Sequence, residues 1–207
     1  MAKVKMSKKA TSIDMTAMCD VAFLLLTFFI LTATAKQPEP LPVDTPNSTV
    51  EDKLPEKNLA IITIGDNGKV FMGIKEIPIR RETLKKMAEL KGVKFSDDEI
   101  TKFGLMDEFG VPFNQLKTLI GMTSTQRNVK GQQIGIPHDT IPNKNELSEW
   151  ILQARNANAE TNLEQLNFAI KGDAKEQYPQ IKAVMDILQK QKVNKFFLVT
   201  GLRSDNF

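Results

Sequence analysis

Residues 15–35 read MTAMCDVAFLLLTFFILTATA, and Asp20 is the one charged residue among them. A helix that crosses a bilayer needs about 20 mostly apolar residues, so this stretch predicts one transmembrane helix. Cationic residues close to a span mark its cytoplasmic side, and the preceding residues 1–14 contain Lys3, Lys5, Lys8 and Lys9. We therefore expect a cytoplasmic basic tail over 1–14, a span over 15–35 and the rest of the chain on the opposite side.

Two other interpretations of this stretch stay open. Val21–Leu31 is an apolar run followed by the small-residue pattern Ala33-Thr34-Ala35, which is typical of a cleaved signal peptide. The long leader that precedes this run argues against cleavage. The stretch could also be a buried helix of a soluble domain, but it is apolar on nearly every side rather than amphipathic, and prolines follow it directly.

Asp20 is the most informative residue, because an acid inside a span is costly. Insertion scales give roughly 2.5–3.5 kcal/mol for a charged side chain at the centre of a helix, and less near its ends. One interpretation is that Asp20 lies at the cytoplasmic edge of the span and reaches the headgroups. The other is that Asp20 faces a protein interior or a wet path and takes up a proton.

A polar stripe favours the second interpretation. Thr16, Asp20, Thr27 and Thr34 are 4, 7 and 7 residues apart, which places them on one helix face. Polar stripes on apolar helices usually pack against partner helices. A single span cannot enclose its own proton path, so the stripe predicts a multispan partner or an oligomer.

The start of the span resembles that of a known family. Residues 13–29, IDMTAMCDVAFLLLTFF, are similar to the ExbD/TolR family of energy-transducing proteins, whose spans begin approximately I-N-V-T-P-L-I-D and continue into an apolar, Phe-rich helix. Ile13, Thr16 and Asp20 fall on matching positions, whereas Asp14 stands where the family usually has Asn and Ala17 where it often has Pro. The resemblance implies that Asp20 is the proton-carrying residue.

A proline-rich stretch follows the span. Residues 36–58 read KQPEPLPVDTPNSTVEDKLPEKN and contain five prolines in 23 residues. This composition is typical of an extended, semi-rigid spacer without a packed core. We therefore expect a linker over 36–58 that lets a distal domain stand away from the membrane.

The remaining residues, 59–207, predict a small α/β sandwich with helices on one face of a sheet. The β-branched runs at 59–64 and 69–74 flank the turn residues Asp66-Asn67-Gly68 and predict a hairpin. Helical spacing follows at 80–90, with Leu84 and Met87 inward and Leu90 a further candidate, and a strand near 166–170, a helix from Pro179 and a strand at 196–200 complete the pattern.

Residues 91–160 form an insertion in this pattern. Ser96 and Glu99 match a capping box before a helix, Pro112 can begin a second helix, and Trp150 lies in a third apolar-periodic segment. We expect a mainly helical elaboration that packs on or beside the sheet and either recognises a partner or extends the core.

A second match to the ExbD/TolR family lies in 170–200, where an apolar strand is followed by Asp173, Tyr178, a helix containing Val-Met-Asp and a strand ending in Val-Thr. The order of the elements also resembles the extracytoplasmic domain of that family. For Asp173 and Tyr178 two interpretations stay open, a turn and a buttress of the last helix, or contact with a partner or with cell wall.

Several classes of function are disfavoured. The net charge of +3 arises from the N-terminal tail, so the chain predicts no basic surface for nucleic acid. Cys19 is the single cysteine and His138 the single histidine, and the sequence contains no Gly-rich phosphate loop and no nucleophile elbow. We expect no metal site, no cofactor, no catalytic residue and no enzymatic activity.

The resemblance implies an ExbD-like motor subunit of a bacterial inner membrane. A homodimer would work inside an ExbB/TolQ-like multispan ring and use the proton motive force to energise a TonB-like or TolA-like protein for outer-membrane transport or, if TolR-like, envelope maintenance. The alternative is a membrane-anchored periplasmic module that binds a ligand or peptidoglycan. An anchor should tolerate Asn or Leu at position 20, whereas a motor should not.

Overall fold

A computed structural model describes residues 15–33, 39–48, 53–129, 131–138 and 145–202. These belong to two compact units, Met1–Gln37 and Pro38–Phe207. The predicted basic tail, 1–14, and Thr34 lie outside the described residues.

The first unit contains helix α1, Met15–Thr32. Its mean hydropathy is 2.0, and none of its residues is buried within the chain. At 1.5 Å per residue the helix is about 27 Å long, close to the roughly 30 Å hydrocarbon core of a bilayer. By length and composition, α1 can cross a membrane.

The second unit is a mixed α/β fold. Its elements are β1 (Asn47–Ser48), β2 (Leu59–Gly65), β3 (Lys69–Ile74), α2 (Ile77–Lys91), α3 (Asp97–Gly104), α4 (Phe113–Gly121), α5 (Ser124–Arg127), α6 (Glu146–Asn162), β4 (Asn167–Gly172), α7 (Tyr178–Lys190), β5 (Phe197–Val199) and β6 (Gly201–Leu202). The main sheet has the order β3-β2-β4-β5, in which β2 and β3 are antiparallel and the other pairs are parallel. The predicted α/β class is confirmed.

Alternation along the strands divides the sheet into two faces. On one face Ala60, Ile62 and Ile64 of β2 are fully buried. They join a core to which α2, α6 and α7 contribute Leu84, Trp150 and Leu188 among others. Leu84 and Met87 point inward as predicted, whereas Leu90, in the last turn of α2, is 53% exposed.

The β2–β3 turn has the predicted residues in left-handed backbone. Asp66 and Asn67 have φ values of 50° and 65°, and Gly68 has 86°. Asn, Asp and Gly tolerate this region best, so the turn chemistry explains why the hairpin closes here.

The insertion shares the main core. The capping box of Ser96 and Glu99 begins α3 as predicted. Phe103 of α3 and Phe113 of α4 pack around Trp150 of α6, which is fully buried. Because α6 also packs against α2, the insertion extends the hydrophobic core and is not a separate appendage.

The insertion also covers the outer edge of β3. The backbone groups of Met72 and Phe109 exchange two hydrogen bonds of 2.9 and 3.0 Å, and the amide of Ile136 donates to the carbonyl of Val70 at 2.8 Å. Unpaired strand edges are prone to unwanted pairing, so these contacts protect this side of the sheet.

The expectation of a spacer without packed contacts does not hold for residues 39–48, which we call the strap. Leu41 is 8% exposed, and Val43 approaches β2 so closely that a Cβ on Gly65 would lie 2.7 Å from its Cγ1. Asn47 and Ser48 pair in parallel with Gly201 and Leu202. The strap therefore packs against the second unit through apolar and backbone contacts.

Candidate functional site

The polar stripe of α1 is the first candidate site. Thr16, Asp20 and Thr27 all lie within Met15–Thr32, and at about 100° per residue they fall within an arc of roughly 40°. Asp20 is exposed on the helix surface, in the first third of α1. The structure thus places three of the four stripe residues on one helix face.

The threonine hydroxyls of α1 can bond to the helix itself. Thr27 Oγ1 donates to the carbonyl of Leu24 at 2.9 Å, and Thr32 Oγ1 donates to that of Phe28 at 2.8 Å. Such back-bonding lets a hydroxyl stay in an apolar surrounding. A carboxylate has no comparable backbone donor within a helix, so in an apolar surrounding Asp20 would need a proton or a donor from outside α1.

The other faces of α1 carry large apolar side chains. Phe23, Phe28 and Phe29 are each more than 60% exposed. In water this surface would be unstable, whereas lipid or partner helices would cover it. The chemistry of α1 is therefore that of an apolar helix with one acidic position.

Asp173 is the second candidate, and its side chain connects the turn after β4 with the strap. Its Oδ2 accepts a hydrogen bond from the amide of Asp44 at 3.3 Å, and its Oδ1 accepts one from the amide of Lys175 at 2.8 Å. The amide of Ala174 donates back to the carbonyl of Asp44 at 2.7 Å. Asp173 therefore caps the turn after β4 and holds the strap at the same time.

Tyr178 begins α7 and is 66% exposed. Its hydroxyl has no hydrogen bond within the described part of the chain. The Asp173 carboxylate binds backbone amides instead of this phenol. The geometry leaves the Tyr178 side chain available to a partner.

A polar cluster on the second face of the sheet was not predicted from the sequence. Thr63 Oγ1 donates to Oε1 of Glu108 at 3.1 Å, and Lys171 Nζ forms an ion pair with Glu39 of the strap at 2.6 Å. Burial raises the pKa of the Glu108 carboxyl, and the Thr63 bond and the charge of Lys171 oppose this only in part. One sequence signal of this cluster was Thr63, which interrupts the apolar run of β2.

The comparisons with known proteins give a match to a protein family that covers nearly the whole chain. Residues 6–202 match the family model described as biopolymer transport protein ExbD/TolR. The match includes α1 with Asp20, the strap, the insertion and the turn with Asp173. No curated protein and no solved structure shows a significant match.

Proposed function

Because the chain belongs to the ExbD/TolR family of biopolymer transport proteins, we propose that it is an energy-transducing inner-membrane subunit in which Asp20 carries protons. The observation that carries this proposal is the stripe of α1. Asp20 is the one acidic residue of α1, and α1 contains no basic residue. Asp20 lies on the same face of the helix as Thr16 and Thr27. An ionisable residue within a span points to function, because its cost is otherwise uncompensated.

The proposed topology is a single pass. The lysines of residues 1–14 favour a cytoplasmic N-terminus. The second unit then lies in the periplasm. The second unit contains no cysteine, so its fold does not depend on an intramolecular disulfide.

A multispan partner is part of the proposal. Helix α1 buries no side chain within the chain, so a proton path along the stripe needs other helices around it. We propose a homodimer of this chain inside an ExbB/TolQ-like ring, and a TonB-like or TolA-like protein as the recipient of the motion. Neither a cofactor nor a catalytic residue is required.

The energetics support a mechanism in which protonation releases the helix. On insertion scales a charged Asp at the centre of a span costs roughly 2.5–3.5 kcal/mol, and one charge crossing the membrane supplies about 2.3 kcal/mol per 100 mV. These amounts are similar. Uptake of a proton on one side of the membrane and its release on the other can therefore bias the position of α1 against its ring.

The second unit would transmit the motion. We propose that Asp173 keeps the strap attached to the fold, because its carboxylate binds the amide of Asp44. Tyr178 is the better candidate for contact with the TonB-like or TolA-like partner or with peptidoglycan, because its side chain is exposed.

Carbodiimide labelling tests the proton-carrying role directly. Dicyclohexylcarbodiimide partitions into lipid and reacts with protonated carboxyl groups, so membranes from cells that express the chain should give a modified peptide at Asp20. Labelling should fall as the pH rises. Asp44, which is exposed in the strap, is the internal control and should stay unmodified.

Two further results complete this test. The Asp20→Asn variant should give no labelled peptide from α1, whereas Met18→Leu, on the face of α1 opposite the stripe, should label as the unchanged chain does. Absence of labelling at Asp20 at every pH would contradict a protonated carboxyl within the membrane and leave the helix as an anchor.

A further inference from the structure

We propose that a basic cleft at one end of the second unit binds an acidic peptide segment. The cleft has a volume of about 500 Å³ and lies between α6, the α6–β4 turn and the α7–β5 turn. Ligand sites usually have volumes of roughly 300–1,000 Å³. The cleft contains none of the residues of the polar stripe, and neither Asp173 nor the strap lines it. Peptide binding there is therefore a property beyond the proposed function.

Charge is the first argument for an anionic ligand. Arg155, Lys192 and Lys195 line the cleft, and Glu164 is the one acid that lines it. None of the three cations forms an ion pair within the described residues, although Lys86, Lys91 and others elsewhere in this unit do. Three unpaired cations around one cavity raise the local concentration of anions.

The single acid of the cleft is already engaged. Glu164 Oε2 accepts a hydrogen bond from Nδ2 of Asn58, the residue before β2. Its backbone carbonyl accepts one from Nδ2 of Asn158 at 2.8 Å. Within the described residues Glu164 forms no ion pair with the three cations, so the lining keeps a net charge of +2.

The two walls of the cleft are held together. Arg155 Nη1 donates to the carbonyl of Gln191 at 2.8 Å, and Gln191 Nε2 donates to the carbonyl of Ser148 at 2.6 Å. These bonds connect α6 with the end of α7. Lys192 follows with φ of 62°, and its amide donates to Gln189 at 2.9 Å, which fixes the turn. Such a preformed site loses little entropy on binding.

The remaining lining favours a peptide over other anions. Asn156, Gln165 and Asn194 supply amide groups, and each amide side chain both donates and accepts, as a peptide group does. Leu152 and Val193 add apolar surface between the charges. No aromatic ring lines the cleft on which the apolar face of a sugar could stack, so a glycan strand fits less well.

Fluorescence anisotropy with a defined probe tests the proposal. The full chain in detergent micelles would be titrated into a labelled octapeptide of alternating Glu and Ala, and into the same peptide with Gln in place of Glu. We expect the Glu peptide to bind at least about tenfold more tightly, since charge-assisted bonds are roughly twice as strong as neutral ones. Its affinity should fall as salt is added.

Matched variants locate the binding. Lys192 and Lys195 are exposed, so Lys192→Glu/Lys195→Glu should leave the fold unchanged and weaken binding by about tenfold or more. Asn156→Asp/Asn194→Asp should weaken it without removing a cation. The control Lys94→Glu/Lys182→Glu makes the same charge change at exposed lysines that do not line the cleft, and it should bind as the unchanged chain does.

Several outcomes would overturn the proposal. They are no binding of the Glu peptide, equal binding of the Gln peptide, and equal loss of affinity in the control variant. Displacement of the Glu peptide by a soluble muropeptide at lower concentrations than by unlabelled Glu peptide would assign the cleft to cell wall instead.

Discussion

The carboxylate of Asp173 joins two segments that are 129 positions apart, since its Oδ2 accepts a hydrogen bond from the amide of Asp44 at 3.3 Å. The same side chain caps its own turn through the amide of Lys175. One residue therefore closes the turn after β4 and retains the strap. This is a physical reason for an Asp at a position that the sequence alone left between a structural and a binding role.

Removal of the Asp173 carboxylate should loosen the strap. Asp173→Ala loses both hydrogen bonds, and a hydrogen bond contributes about 0.5–1.5 kcal/mol to stability. We expect faster hydrogen exchange in residues 39–48 with little change in α2. Asp173→Asn keeps one acceptor oxygen and should give a smaller effect. Unchanged exchange of the strap in Asp173→Ala would show that its apolar contacts alone hold it.

Glu108 should make stability depend on pH. Burial raises the pKa of this carboxyl above its unfolded value, so the native state binds the proton more tightly than the unfolded state does. The favourable contribution of the protonated form is then complete below about pH 4 and is lost as the pH rises through the native pKa. Glu108→Gln stays neutral and keeps an acceptor for Thr63.

The free energy of unfolding of Glu108→Gln should therefore exceed that of the unchanged chain at neutral pH, and the two should converge in acid. Urea unfolding at several pH values measures the difference. The exposed Glu89→Gln is the control and should show no such trend. A difference of constant size across the pH range would contradict the assignment to Glu108.

Arg80 connects α2 with the ends of β3 and α3. Its guanidinium is buried and donates to the carbonyls of Ile74, Gly104 and Met106. Arg80→Met would leave these acceptors without a donor, so we expect a loss of at least about 3 kcal/mol. Arg80→Lys should lose less stability than Arg80→Met, because it keeps the positive charge. It should still be less stable than the unchanged chain, because it lacks the planar guanidinium group.

The exposed Lys85→Met provides a control for Arg80, with an expected change within about 0.5 kcal/mol. Chemical unfolding of the three variants gives the comparison. Equal stability of Arg80→Met and Lys85→Met would contradict the role given to Arg80.

Gly110 permits the insertion to cross Phe71. A Cβ at this position would lie 2.3 Å from the Phe71 ring, so Gly110→Ala should displace the segment beside β3 and cost about 1–3 kcal/mol. Gly121→Ala is the matched control, because its Cβ would meet nothing within 4 Å. Thermal unfolding should separate the two variants, and a shared midpoint would contradict the close packing at Gly110.

Local patterns predicted most of the regular elements. The alternation of β2 and β3, the capping box at Ser96 and the helical period after Pro179 are short-range signals, and each element lies where its signal placed it. Leu90 was ambiguous because the apolar period of α2 ends near it. The stripe of α1 was readable for the same reason, since four residues at helical spacing define a face.

Long-range contacts explain what the sequence did not reveal. The structure describes no helix within 39–48 and 53–58, as the prolines there lead one to expect. The attachment of the strap, however, depends on Lys171, Asp173 and Gly201, which lie far along the chain. The basic cleft likewise combines Arg155 with Lys192 and Lys195 from another turn. No local pattern marks such a meeting of segments.

The central claim concerns Asp20, and energy-dependent uptake in living cells tests it most directly. Uptake of a substrate that requires outer-membrane energisation would be compared between cells with the unchanged chain and cells with Asp20→Asn, with membrane level and ring assembly measured in both. We predict that Asp20→Asn abolishes uptake at normal level and assembly, whereas Met18→Leu, on the opposite face of α1, retains most of it. Full uptake by Asp20→Asn would contradict a proton-carrying role and leave α1 as an anchor.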